Sequence, residues 1–193
     1  MVADCCHDRM CLPCQQRRSE TLAQNIVRWI GKRPCRMITL TIASSPASLA
    51  AQLDHLQDSY RRLRQRHAWK DRVQGAIGIL EVTRNAETGH WHPHLHVLAW
   101  GSYWDQRHLS AEWEQASQGS RIVDIRLARS PEMIAKYAAK YVAKCLDASV
   151  YEDHPALCEY IRSMKGRRLV ITSGDASSAH LTEELTEDDW CTL

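Results

Sequence analysis

Apolar residues recur in two rhythms along this chain. Met37-Ile38-Thr39-Leu40-Thr41-Ile42, Gly75 to Thr83 and Arg121 to Leu127 are rich in β-branched residues, and Arg168 to Thr172 is a shorter stretch of the same kind. Each predicts a strand. Between them apolar residues return at three- and four-residue steps, which predicts helices. Leu22, Ile26, Val27 and Ile30 mark one helix within Gln15 to Arg33. Leu49, Leu53, Leu56, Tyr60 and Leu63 mark a second that runs to about Trp69, with Ser45 as N-cap and Pro46 at its first position. Leu109 to Ala116 and Val150 to Met164 predict two more. Ser130-Pro131-Glu132 opens a further helix through Lys144, with a Ser cap, Pro at the first position and an acid in the first turn.

One stretch follows the period-two rhythm with unusual side chains. In Trp91-His92-Pro93-His94-Leu95-His96-Val97-Leu98 the alternate positions are histidine. Successive strand side chains point to opposite faces, so His92, His94 and His96 share one face while Leu95, Val97 and Ala99 take the other. Imidazoles converging from one face suit a divalent metal, because neutral imidazole is a common metal ligand. The preceding strand is close enough in sequence to form an antiparallel hairpin with this one. If Ala86-Glu87-Thr88-Gly89 is the loop, Glu81 lies opposite His94 and adds a carboxylate to that face. A one-residue slip in register would remove it.

Composition narrows the partners. The 193 residues suffice for one core with a small appendage. No apolar run is long enough to span a membrane and residues 1–7 carry no signal-like apolar core, so a cytosolic protein is expected. The net charge of +2 conceals an asymmetry, since all 25 Lys and Arg lie at or before Arg168. Residues 1–174 hold 25 basic against 17 acidic residues, a formal +8, and residues 175–193 carry −6. A basic body suits a polyanion such as nucleic acid. The acidic tail is expected to be polar and weakly structured.

Eight cysteines in a cytosolic chain point to metal or free thiols rather than disulfides. Cys11-Leu12-Pro13-Cys14 is a Cys-x-x-Cys knuckle, with Cys5 and Cys6 shortly before it. Tetrahedral zinc wants four N or S ligands. Cys11, Cys14 and Cys6 are the first three candidates, and Cys5, His7 or Cys35 the fourth.

Tyr137 and Tyr141 stand four apart on one helix, so their phenols share a face about 6 Å apart. Lys136, Lys140 and Lys144 form a row at the same spacing. A phenol with its pKa near 10 needs positive charge nearby to act as a nucleophile, which a neighbouring ammonium supplies.

In order, Met37-Ile38-Thr39-Leu40-Thr41, His92-Pro93-His94-Leu95-His96-Val97-Leu98 and Tyr137-x-x-Lys140-Tyr141-x-x-Lys144 resemble the three motifs of rolling-circle replication initiators, the Rep proteins of the HUH endonuclease superfamily. The Rep family of small plasmids adds a Cys-rich segment like Cys11-Leu12-Pro13-Cys14-Gln15 and a late segment like Lys165-Gly166-Arg167-Arg168-Leu169. The resemblance covers about residues 5–174. It implies an α+β fold in which an antiparallel sheet of about five strands, with the histidine strand central, is flanked by helices in a ferredoxin-like manner. It divides the chain into a Cys-rich zinc-binding segment and connector helix (1–34), an endonuclease domain (35–174) and an acidic tail (175–193). His94 and His96 become ligands of Mg²⁺ or Mn²⁺, with Glu81 or His92 as the third. Tyr141 takes the nucleophile's place, assisted by Lys140 or Lys144. Tyr137 falls where some plasmid Reps carry a glutamate and where two-tyrosine relatives carry a second nucleophile.

The implied activity is metal-dependent nicking and strand transfer on single-stranded or hairpin DNA at a replication origin. It proceeds through a 5′-phosphotyrosine and leaves a 3′-OH primer. No Gly-x-x-x-x-Gly-Lys loop is present, so unwinding would fall to a host helicase and synthesis to a host polymerase. Two other readings remain: a two-tyrosine transposase with the same chemistry, and a zinc-containing DNA-binding module without catalysis.

Overall fold

The computed structural model describes residues 11–31, 33–142, 146, 148–179 and 181. Its elements are α1 (Leu12–Ile30), β1 (Cys35–Thr41), α2 (Leu49–Gln65), α3 (His67–Arg72), β2 (Val73–Arg84) and β3 (Trp91–Gly101). They continue with α4 (Gln106–Ser117), β4 (Val123–Ala128), α5 (Pro131–Val142), α6 (Ala148–Glu152), α7 (His154–Met164) and β5 (Val170–Gly174). The strands form one sheet in the order β4-β1-β3-β2-β5, with every neighbouring pair antiparallel. The expected α+β architecture is the one observed, and the histidine strand lies at the centre. Among the described residues no helix is long and apolar enough to cross a membrane.

Alternation along each strand sorts the core into two layers. Ile38, Leu40, Leu80, Leu95, Val97 and Ala99 face one way and pack on Leu49, Leu53, Leu56 and Leu63 of α2, Trp113 of α4 and Met164 of α7. Met37, Ile77, Ile79, Leu98 and Trp100 face the other way, onto Leu22, Ile26 and Ile30 of α1 and Ile134 and Ala138 of α5. The predicted periodicities are thus the buried stripes of these helices.

The β2–β3 hairpin has the expected loop. Asn85 N donates to His90 O at 2.9 Å, and Asn85 Oδ1 accepts from the backbone of Glu87 and Thr88. That asparagine turn leaves Gly89 at φ +69, where a side chain would be strained. The register follows directly, with Glu81 paired to His94. Pro93 cannot donate to a ladder, and it lies one residue beyond the end of the β1 pairing, where only β2 flanks β3.

Several element boundaries differ from the sequence reading. The cap of α2 is Ser48, whose hydroxyl accepts from Ala51 N, whereas Pro46 and Ala47 form a bend before it. The long helix expected to reach Trp69 breaks at Arg66 into α2 and α3. The helix expected over 150–164 is two, because the Asp153 carboxylate caps a new start at Ala156 N with Pro155 in the first turn. Helix α1 begins at Leu12, so Cys11 is its N-cap and Cys14 is buried inside its first turn.

Candidate active site

The polar patch of the sheet is built from β1, β2 and β3 and roofed by α5. Register sets its rows: Thr39 pairs with His96, Thr41 with His94, and Glu81 with His94 from the other side. Paired residues share a face. The three histidines therefore point to the α1/α5 side, as alternation requires.

His96 is the hub and is only 4% exposed. Its Nε2 meets Glu81 Oε2 at 2.5 Å, so the glutamate opposite His94 reaches diagonally to the next histidine. Thr39 Oγ1 stands 3.2 Å from Nδ1 of His96, and Tyr137 OH 3.3 Å from the same nitrogen. The Tyr141 ring lies flat on the imidazole, with centroids 3.4 Å apart and planes 14° apart. His94 is held between Thr41 Oγ1, 3.3 Å from Nδ1, and Thr83 Oγ1, 3.4 Å from Nε2. His92 stacks on His94 at 6.1 Å, one step further from the hub.

The two tyrosines share a face as their spacing predicts, with ring centroids 4.7 Å apart, yet they differ in setting. Tyr137 OH donates to the backbone carbonyl of Ile38 at 3.1 Å. Burial pushes its phenol well above the ordinary tyrosine range; the Thr39 hydrogen bond draws it part of the way back, and Tyr141 and Asp124 nearby add to the rise. Lys140 Nζ stands 4.9 Å from the Tyr141 ring centroid, which brings positive charge to the second tyrosine. Lys144, Cys5 and Cys6 lie outside the described residues.

The donor set fits a divalent ion in its chemistry. An imidazole and a carboxylate already converge, and a second imidazole occupies the adjacent position on β3. Among the described residues no three His, Cys, Asp or Glu side chains close around one point as they stand, so His94 and His92 remain beside the pair rather than on it. For the proposed zinc segment the structure removes one candidate. Cys14 lies in the first turn of α1 and Cys35 beyond its last, separated by about 24 Å of helix. Cys35 is instead buried under α1, and burial pushes its thiol up to about 12.

Three groups played no assigned part in the sequence reading. Thr39 and Thr41 were legible as strand residues, but their contact with the imidazoles depends on β1 pairing with β3 across 53 and 57 residues. Asp124 pairs with Thr39 and so sits on the same face, held by Arg126 Nε at 2.8 Å. Two arginines of α2 are committed to neighbouring structure. Arg62 donates to Ala116 O at 2.6 Å, and Arg66 binds Glu112 and Gln115, so both tie α2 to α4. Arg167 of the late basic segment is likewise a brace, reaching Asp54 at 2.7 Å and Gln57 at 3.0 Å.

Comparison with known proteins is consistent with this arrangement. A family model described as Replication protein matches residues 1–192. The "Protein rep" of Streptococcus pneumoniae serotype 2 is 29% identical over 141 residues, covering 63% of this chain and 44% of that protein. A "Protein rep" from a Bacillus species is 31% identical over 137 residues, covering 63% of this chain and 45% of its own length. The same name and identity hold for a relative from Bacillus amyloliquefaciens, matched over 40% of its length. The matched region thus spans less than half of each of these relatives. No solved structure matches. The chain belongs to the Rep family of replication proteins.

Proposed function

We propose that this chain is the nicking and strand-transfer domain of a plasmid rolling-circle initiator, working on single-stranded or hairpin DNA at an origin. The observation that carries the reading is the Tyr141 ring laid on His96, with Glu81 and Lys140 beside it. A phenol, an imidazole–carboxylate pair and an ammonium gathered on one sheet face are what transfer of a phosphodiester requires. Family membership and the ordered motifs support the same conclusion.

Tyr141 is the nucleophile. Its phenolic oxygen forms a bond to the scissile phosphorus as the bond to the 3′-oxygen breaks, and a proton passes to that oxygen. The products are a 5′-phosphotyrosine and a 3′-OH. One phosphodiester replaces another, so no ATP is consumed and the work lies in positioning and charge neutralisation. Lys140, exposed beside Tyr141, stabilises the phenolate or the incoming phosphate; Lys144 is a candidate for the same task. A divalent ion, Mg²⁺ or Mn²⁺, held by His96, Glu81 and His94, with His92 in reserve, would supply Lewis-acid polarisation of the phosphate. An imidazole-rich set should accept Mn²⁺ well. A structural zinc on Cys5, Cys6, Cys11 and Cys14 belongs to the same proposal. The 3′-OH would then serve a host polymerase, with a host helicase opening the duplex.

The direct test is a denaturing gel of the chain incubated with single-stranded origin oligonucleotides and Mn²⁺. A protein–DNA adduct that disappears in Tyr141→Phe is expected. Binding that stays reversible and salt-sensitive with every cognate origin would favour the non-catalytic module instead.

A further inference from the structure

We infer that Tyr137 is a positioning residue rather than a second nucleophile: with Thr39 it grips His96 by its Nδ1 edge and fixes which nitrogen faces Glu81. The inference rests on the reading of Tyr141 and His96 given above, and it turns on where one hydroxyl proton goes. Tyr137 OH donates to the Ile38 carbonyl at 3.1 Å. A phenol has a single proton to give, so the side it turns towards His96 Nδ1, at 3.3 Å, carries only lone pairs. Nδ1 must therefore supply the proton in that contact. Thr39 Oγ1, at 3.2 Å, can accept from the same N–H. The Nδ1 contacts thus set the orientation of the ring and leave Nε2 facing Glu81 Oε2 at 2.5 Å, a contact that shares a further proton between the two atoms.

The same contacts explain why two tyrosines one turn apart have unlike roles. Ile38 and Thr39 belong to β1 and His96 to β3, so the Tyr137 hydroxyl pins α5 to two adjacent strands at once. That pinning holds the helix at the height where the next turn lays Tyr141 on the imidazole. To attack DNA, Tyr137 would have to surrender the Ile38 bond. Tyr141 has no such step to make, since its ring already covers His96. Groups that orient a ligand-type histidine through its other nitrogen commonly cost 10- to 100-fold in activity when removed.

The test has two arms on the full chain. In the first, nitrogen–proton correlation NMR reads the His96 imidazole of the protein without DNA or added metal. Wild type is expected to carry a proton at Nδ1, and Thr39→Ser to keep it there. Tyr137→Phe and Thr39→Val are expected to weaken that preference, most of all when combined. In the second arm, single-turnover cleavage of an origin oligonucleotide is followed with Tyr137→Phe. First cleavage should slow about 10- to 100-fold with oligonucleotide affinity unchanged. An unprotonated Nδ1 in wild type overturns the inference. So does a Tyr137→Phe variant that cleaves first at the wild-type rate and loses only a second transfer. If wild type forms no adduct, the endonuclease reading fails, and the NMR arm still decides what Tyr137 does to His96.

Discussion

The two faces of β3 share one backbone and little else. On one side Leu95, Val97 and Ala99 are 1%, 0% and 3% exposed and belong to an apolar cluster with α2, α4 and their neighbours. On the other, His94 and His96 are ringed by threonine hydroxyls, a buried glutamate and a tyrosine. The first face follows the ordinary rule that buried strands are apolar. The second breaks it with imidazoles, hydroxyls and a carboxylate that contact one another. The α2/α4/α7 layer meets β3 with an apolar cluster, and the polar cluster lies in the α1/α5 layer.

Replacing His96 and Glu81 together by leucines should separate the layers most sharply. Adduct formation is expected to vanish, whereas thermal stability should hold or rise by about 1–4 kcal/mol, as it does when buried ion pairs give way to apolar residues. His96→Ala alone should cost about 3–5 kcal/mol, because the buried Glu81 carboxylate loses its partner. A double variant that unfolds would show that the polar face also carries the fold. Leu56→Ala makes the opposite cut. Leu56 is fully buried in the other layer, so denaturant titration should show a loss of about 2–5 kcal/mol. Adduct yield per folded molecule should not change at a temperature where the variant remains native.

A smaller effect should appear at alkaline pH and divide between the layers. Burial pushes Tyr60, in the α2 layer, and Cys35, under α1, each up to about 12. For an acid that is neutral when protonated, a raised folded-state pKa means that the unfolded chain loses its proton first. Stability is then full below the ordinary values of 10.0 and 9.0 and declines as pH rises towards 12. Melting temperature should fall over that range, beginning with the thiol. Cys35→Ala should remove the earlier part of the decline and Tyr60→Phe the later part.

How much of this was legible in the sequence depended on distance along the chain. The hairpin could be read down to its register, because the loop is four residues and the pleat fixes the faces. The shared face of Tyr137 and Tyr141 followed from helical geometry alone. The contacts of Thr39 with His96 did not, since no local pattern states that β1 lies beside β3. Nor did the diagonal reach of Glu81 to His96, which depends on side-chain direction rather than pairing. Some signals were present and misjudged. Asp153-His154-Pro155 is a helix start, and Pro13 marks the beginning of α1. Ser45 and Ser48 offer equivalent cap chemistry, and packing of Leu49 in the core decides for Ser48. The ties of Arg62 and Arg66 to α4 were not legible, because charge is visible in a sequence while the partner across α4 is not.

The central claim is that two tyrosines on one helix have been given different tasks by one hydroxyl contact. Mass-spectrometric mapping of the DNA-linked peptide, after cleavage of an origin oligonucleotide and proteolysis, tests it most directly. The nucleotide should be found on Tyr141 alone. A nucleotide on Tyr137, in wild type or after a second transfer, would contradict the account.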